Sequence, residues 1–194
     1  MRQMNYWIDD GWLWPARRLP SPNCDARPQG CCIDLAVIHG ISLPPRRYGG
    51  GAIDALFTNA LDPNSHEYFR AIAALRVSAH LLIRRDGDMM QYVPFDLRAW
   101  HAGESEFEGR RACNDFSVGI ELEGCDEDPY EAIQYERLAD VLHQLMIRYP
   151  GITPARIVGH CHIAPGRKTD PGPQFEWDRL YTLLHIGSDN RGGR

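Results

Sequence analysis

Ala79-His80-Leu81-Leu82-Ile83-Arg84-Arg85-Asp86-Gly87-Asp88-Met89-Met90-Gln91-Tyr92-Val93 is the stretch on which the reading of the whole chain turns. Two short apolar runs, 79–84 and 89–93, flank an Asp-Gly pair, and those two residues suit the backbone of a tight hairpin turn. The stretch therefore predicts two antiparallel strands. Outward from it, the pattern changes to helical spacing and back, so the hairpin has to join a sheet that helices also cover.

Upstream, residues 33–38 form a mostly apolar run ending at His39, consistent with a buried strand. Residues 40–51, with Pro44, Pro45 and three consecutive glycines, must be a loop. Helices are predicted near 53–61 and 66–75. Downstream, strands are predicted at 98–101 and 116–123. A long helix over about 129–149 places Tyr130, Ile133, Leu138, Val141, Leu142, Leu145 and Tyr149 on one face. Asp128 and Glu131 are candidates to cap its start, and Gly151 its end. A short strand, 157–159, feeds His160, and a helix over 175–185 closes the domain. Residues 15–32, rich in Pro, Arg and Asn, read as a surface approach. Strands interleaved with both hairpins and helices predict an α+β fold, a central mixed sheet flanked by helices in a single domain.

The chain has 194 residues, enough for one hydrophobic core, with 43% hydrophobic and 24% charged residues. A net charge of −5 with no basic stripe argues against a nucleic-acid partner. No run of about 18 apolar residues occurs, so no membrane span is predicted. The first 14 residues hold no apolar core and no small-residue cleavage site, which predicts a cytoplasmic protein. The cysteines, Cys24, Cys31, Cys32, Cys113, Cys125 and Cys161, form no CxxC pair and read as reduced thiols. Cys24, Cys31 and Cys32 offer part of a structural zinc knot, but no fourth ligand is evident.

His39 and His160 stand out among the histidines because each follows a short apolar strand and precedes a Pro- or Gly-rich loop. The bland alternative is a pair of strand-end histidines bonded to backbone. The segment Gly159-His160-Cys161-His162-Ile163-Ala164-Pro165-Gly166-Arg167-Lys168-Thr169-Asp170-Pro171-Gly172 shifts the balance. It crowds imidazoles, cations and a carboxylate into a constrained loop that is not expected to be helical, and such density is costly unless used. His39, His160 and Asp170 suit a catalytic zinc, because three protein ligands leave a tetrahedral position for water. Hydrolysis also needs a base, and Glu121 is the candidate: a carboxylate inside an apolar strand should have its pKa raised by burial. The bland alternative has Glu121 and Glu123 facing solvent from an edge strand.

His39-Gly40-Ile41-Ser42-Leu43-Pro44-Pro45, Val77-Ser78-Ala79-His80, Arg98-Ala99-Trp100-His101-Ala102-Gly103, Cys113-Asn114-Asp115-Phe116-Ser117, Gly119-Ile120-Glu121-Leu122-Glu123-Gly124 and the 159–172 loop, in that order and spacing, resemble the zinc-dependent amidase-2 family. The match runs from about Trp12 to the closing helix, and it is most similar to the cytoplasmic members that act in wall recycling. The resemblance implies a mixed sheet related to peptidoglycan-recognition domains, with an amidase domain over 1–186 and a flexible tail over 187–194. It implies Zn²⁺ on His39, His160 and Asp170, Glu121 as catalytic glutamate and Lys168 as the lysine of the transition state. An ammonium two residues before Asp170 could stabilise a developing oxyanion. The implied substrate is a small muropeptide, cut between the lactyl group of (1,6-anhydro)-N-acetylmuramic acid and L-alanine. Arg76, Arg110, Arg111 and Arg167 are candidates to pair with stem-peptide carboxylates, and Trp100 to stack on sugar; among these, Arg76, Trp100 and Arg167 are the expected substrate-binding residues. Gly40 and His162 depart from the pattern, which usually has Asn and Asp at these positions.

Two rival readings remain. A non-catalytic peptidoglycan-fragment binding protein would lack a metal ligand, commonly the third, whereas Asp170 is present. A cysteine hydrolase using Cys161 and His162 would need neighbouring side chains to share a proton, which strand geometry opposes. Oligomeric state is not legible.

Overall fold

Along Ser117–Glu123, every residue is buried, yet the two faces of the strand differ in kind. Val118, Ile120 and Leu122 join the largest apolar cluster, while Ser117, Gly119, Glu121 and Glu123 turn small or polar groups to the other side. That alternation separates the core from the site, because successive strand side chains point to opposite faces.

The computed structural model describes residues 5–184. Its main sheet has six strands, labelled in chain order: β1 (Arg17–Arg18), β2 (Leu35–Ile41), β3 (Leu81–Ile83), β4 (Met89–Gln91), β5 (Ser117–Glu123) and β6 (Ile157–Gly159). The spatial order is β6-β2-β5-β3-β4-β1. Strands β6, β2, β5 and β3 run parallel, β3 and β4 form the antiparallel hairpin, and β1 pairs parallel with β4. The mixed α+β fold expected from the sequence is the one observed.

The helices are α1 (Ala52–Phe57), α2 (Phe69–Ile72), α3 (Ala132–Arg148), α4 (His160–Ile163) and α5 (Trp177–Leu183). Helix α3 lays Tyr135, Leu138, Val141, Leu142 and Leu145 on Ala36, Ile38, Val118, Ile120 and Leu122. Its start is a capping box formed by Glu131 and Gln134, with Gln134 Oε1 accepting the Glu131 N–H at 3.0 Å. Its last residue is Arg148 and the chain leaves at Tyr149, so Gly151 does not cap it. Gln134 also donates to the carbonyls of Ile83 and Glu123, both at 3.1 Å, which ties the helix to the ends of β3 and β5.

Two local expectations are corrected, and one alternative, solvent-facing glutamates on an edge strand, is set aside. Strand β2 continues past His39 to Ile41, since β5 offers it paired backbone as far as Glu123. Residues 160–163, expected as loop, make one helical turn before Pro165 ends it, so strand geometry does not describe Cys161 and His162. Glu121 and Glu123 lie on a central strand, not an edge, and both are buried. The segment expected as a surface approach, 15–32, includes the edge strand β1 and is preceded by a hairpin of Trp7–Asp9 with Trp12–Trp14, whose cross-strand indoles Trp7 and Trp14 stack at 5.3 Å. It also includes a bridge from Cys24–Asp25 to Arg98–Ala99. The expected tail, 187–194, lies outside the described residues.

Because Gln134 is the donor for two buried carbonyls, Gln134→Leu should destabilise the protein by about 2–4 kcal/mol, measured by urea unfolding, with the helical circular dichroism of the folded state retained.

Candidate active site

The parallel register of β2 and β5 sets Glu121 directly beside His39, and the register of β6 with β2 brings Gly159 level with Ile38, so that His160 follows immediately next door. In parallel sheets the carboxyl ends of adjacent strands open onto a crevice. Here a cavity of about 470 Å³ lies there, lined by His39, Glu121, His160, Lys168, Asp170 and Trp100 among others. Leu43, Leu56, Phe57, Tyr68, Ile72 and Leu75 add apolar lining to it.

His39 Nδ1, His160 Nδ1 and Asp170 Oδ2 form a nearly equilateral triangle, with separations of 3.0, 3.1 and 3.0 Å. The hydrogens on the outer nitrogens can be placed. His160 Nε2 faces the carbonyl of Ala102 at 3.1 Å, which can only accept, so in the neutral ring the proton is on Nε2 and Nδ1 is bare. The Ser117 hydroxyl donates to the carbonyl of Cys113 at 2.5 Å and must accept from His101 Nε2 at 3.1 Å. His101 Nδ1 is then an acceptor, and His39 Nε2–H donates to it at 2.9 Å, leaving His39 Nδ1 bare as well. Burial holds His39 down at about 4 and takes His101 well below the usual histidine range, so both imidazoles are neutral near pH 7. The carboxyl of Asp170 is held well below the usual range, so its Oδ2 carries no hydrogen either.

Three lone-pair atoms thus converge with no hydrogen between them, an arrangement that repels itself unless a cation sits among them. Two ligands at about 2.1 Å from a tetrahedral zinc lie roughly 3.4 Å apart, a few tenths of an ångström wider than the observed triangle. These residues fit a metal ion, and among the described residues they are the group whose donors converge in this way.

Glu121 is 8% exposed, and its Oε2 is buried without a hydrogen-bond partner. Burial first, and then the Asp170 carboxylate, raise its pKa well above the ordinary value, while Lys168 opposes the shift. Glu123, in contrast, is taken up by Arg84 at 3.6 Å and by the backbone N–H groups of Gly49 and Arg85. The loop carrying Asp170 is braced by Tyr130, whose hydroxyl donates to the carbonyl of Pro171 at 2.8 Å. Gly40 makes room for that hydroxyl: a Cβ at position 40 would lie 2.3 Å from it.

Of the expected substrate-binding residues, Trp100 and Arg167 line the cavity. Arg167 Nη2 also donates to the carbonyls of Ala102 and Glu104. Arg76 is outside the cavity lining, folded back on the carbonyls of Ala73, Ala74 and Leu75. Arg110 and Arg111 are paired with Asp34 and Glu106. His162 stands apart from the triangle, its Nδ1 accepting the Gly159 N–H at 3.0 Å and its ring lying against Trp177. All six cysteines are free, and burial raises the pKa of Cys161. Sequence reasoning missed His101, whose place depends on contact with another strand.

The chain matches the model of the N-acetylmuramoyl-L-alanine amidase family, Amidase_2, over residues 29–173, and it belongs to that family. Among individual relatives it is 59% identical to the 1,6-anhydro-N-acetylmuramyl-L-alanine amidase AmpD of Citrobacter freundii, over 91% of this chain and 94% of that one. It is 56% identical to AmpD of Escherichia coli K12, over 91% and 96% of the two chains. A crystal structure of a selenomethionine AmpD derivative superposes with a TM-score of 0.89 at 59% identity, covering 91% of this chain and 98% of that one. The amidase AmiD of E. coli, solved with the substrate anhydro-N-acetylmuramic acid-L-Ala-D-γ-Glu-L-Lys, superposes at 0.58 with 30% identity, over 94% of this chain and 66% of that one.

His80 supplies a test of the buried histidines around the site. Its Nδ1 accepts the Gly119 N–H at 3.0 Å, and burial, with the Arg27 guanidinium beside it, lowers its pKa to about 3. His101 and His39 also face it, and they too are neutral. The unfolded chain binds a proton at this position below about pH 6.5 and the folded chain does not, so stability is lost as pH falls from 6.5 toward 3. Urea titrations of metal-free protein between pH 6.5 and 4 should show His80→Asn, though weaker at pH 7, losing about 1.4 kcal/mol less per pH unit than the parent.

Proposed function

We propose that this chain is a zinc-dependent amidase that hydrolyses the bond between the lactyl group of (1,6-anhydro)-N-acetylmuramic acid and L-alanine in soluble muropeptides, a step of peptidoglycan recycling in the cytoplasm. One observation carries the reading: three hydrogen-free acceptor atoms converge beside a buried, unpartnered carboxylate oxygen in one cavity. The anhydro-sugar preference is supported by relatives named 1,6-anhydro-N-acetylmuramyl-L-alanine amidase at 52–59% identity. Among the described residues no helix is long and apolar enough to cross a membrane.

His39, His160 and Asp170 are the ligands in this reading. Zinc, when bound, supplies Lewis acidity and lowers the pKa of water toward 7. Glu121, whose buried carboxylate oxygen is unpartnered beside the cavity, takes the proton of the attacking water and returns it to the alanine nitrogen as the amide breaks. Lys168 directs its ammonium at the scissile carbonyl oxygen, where negative charge grows in the transition state. Trp100 offers an aromatic face to the sugar, and Arg167 closes the charged wall where the stem peptide would lie. Arg76 is the remaining candidate for a stem carboxylate, acting from beyond the cavity's lining.

Products from anhydro-muropeptide, resolved by mass spectrometry with and without chelator, test the activity; a chelator-insensitive release of peptide, or none from a metal-loaded sample that binds the muropeptide, would sink it. Asp170→Ala should lose zinc and activity together, and full zinc occupancy in that variant would refute the ligand set. Glu121→Gln and Lys168→Ala should retain zinc and lower kcat by about 10²-fold or more, an effect confined to KM being the contrary result.

A further inference from the structure

The structure assigns His101 a role that neither its sequence motif nor the family match supplies: it is a positioning residue that fixes which nitrogen of His39 faces the metal, and so sets the affinity of the site. This inference rests on the zinc reading above.

Two independent features place it. The first is the one-way chain of hydrogen bonds. His39 Nε2–H donates to His101 Nδ1, His101 Nε2–H to Ser117 Oγ, and Ser117 Oγ–H to the Cys113 carbonyl. The final acceptor carries no hydrogen, so the chain cannot be reversed by passing protons along it, and His39 is held with Nδ1 bare. Without that acceptor, the neutral imidazole of His39 would be free to carry its proton on Nδ1, blocking the ligand position. The second feature is a cradle. The His101 ring lies directly on Gly119 in the middle of β5, where a Cβ would meet its Cγ at 2.4 Å and its Nδ1 at 2.5 Å. A glycine at the centre of a buried strand weakens the strand unless another group needs the space, and here the group is this ring. The neighbouring ligand needs no such device, since His160 donates directly to the Ala102 carbonyl. Outer partners of this kind orient a metal-bound histidine and raise its basicity, and their loss typically costs 10–100-fold in metal affinity.

The experiment is competition for Zn²⁺ between a chromophoric chelator and the full-length, metal-stripped chain. His101→Phe keeps a ring on Gly119 but offers no acceptor, and should bind zinc about 10–100-fold more weakly. His101→Asn places a carbonyl oxygen near the Nδ1 position and should recover most of that loss. Gly119→Ala, which leaves the ligands intact but displaces the ring, should weaken zinc in the same way as His101→Phe. Nitrogen-15 spectra of the zinc-loaded parent should show His39 protonated on Nε2 and metal-bound through Nδ1. If His101→Phe does not fold, by near-ultraviolet circular dichroism, Ser117→Ala serves instead: it removes only the acceptor that fixes His101, and should shift His101 toward the Nδ1–H form and weaken zinc. Parental affinity in the folded variants, or no rescue by Asn, overturns the inference while leaving the zinc site standing. Failure of the parent chain to bind zinc at all, or zinc retention in Asp170→Ala, instead overturns the zinc reading beneath it.

Discussion

The parallel pairing of β2 with β5 is the constraint on which the rest depends. Its register aligns His39 with Glu121, and its alternation sends Ile38, Ile120 and Leu122 under α3 while the polar partners face the cavity. A slip of one residue would exchange the two faces, burying Glu121 against leucines and turning isoleucine toward His160 and Asp170. The apolar packing of α3 therefore defends the geometry of the chemistry: the energy that holds the register comes from the core, and the site inherits its precision. Strand β6 extends the same logic, since its pairing with β2 delivers His160 at a fixed height beside His39.

The site holds charge and lone pairs in a setting that mostly excludes water, and each member is compensated differently. Glu123 is neutralised by Arg84 and two backbone donors, whereas Asp170 Oδ2 faces the bare nitrogens of His39 and His160, where a cation would compensate all three. Glu121 alone of these three carboxylates keeps an unpartnered buried oxygen. Two glutamates two residues apart on one strand face thereby sit in different settings, one tying loops together and one with a carboxylate oxygen left unpartnered beside the cavity.

Much of this was legible in the chain. The hairpin around Asp86-Gly87 and the long helix could be read because their patterns are local and periodic. His39, His160 and Asp170 could be singled out because prolines and glycines constrain the segments that hold them, and Glu121 because a carboxylate in an apolar strand calls for a reason. What escaped was non-local. Arg17–Arg18 and Cys24–Asp25 are strands only because distant residues pair with them, at Met90–Gln91 and Arg98–Ala99. The helical turn after Gly159 was hidden by a composition that reads as loop. His101 was quoted within a motif without a task, since its meaning lies in the glycine of another strand on which it rests. Arg76 was named for a stem carboxylate because it lies beside a matching motif, and its guanidinium meets the carbonyls of Ala73, Ala74 and Leu75 just past α2.

The stacked indoles of Trp7 and Trp14 carry a consequence of a different sort. Two identical chromophores held 5.3 Å apart at an interplanar angle of 24° share their electronic excitation, and coupled transitions of that kind split into paired bands of opposite rotational strength. The splitting depends on the pairing of Trp7–Asp9 with Trp12–Trp14, so it vanishes when that hairpin opens, whatever the state of the main sheet. The amino-terminal segment thus contains its own optical label, readable in unmodified protein and separable from the helical signal that α3 dominates.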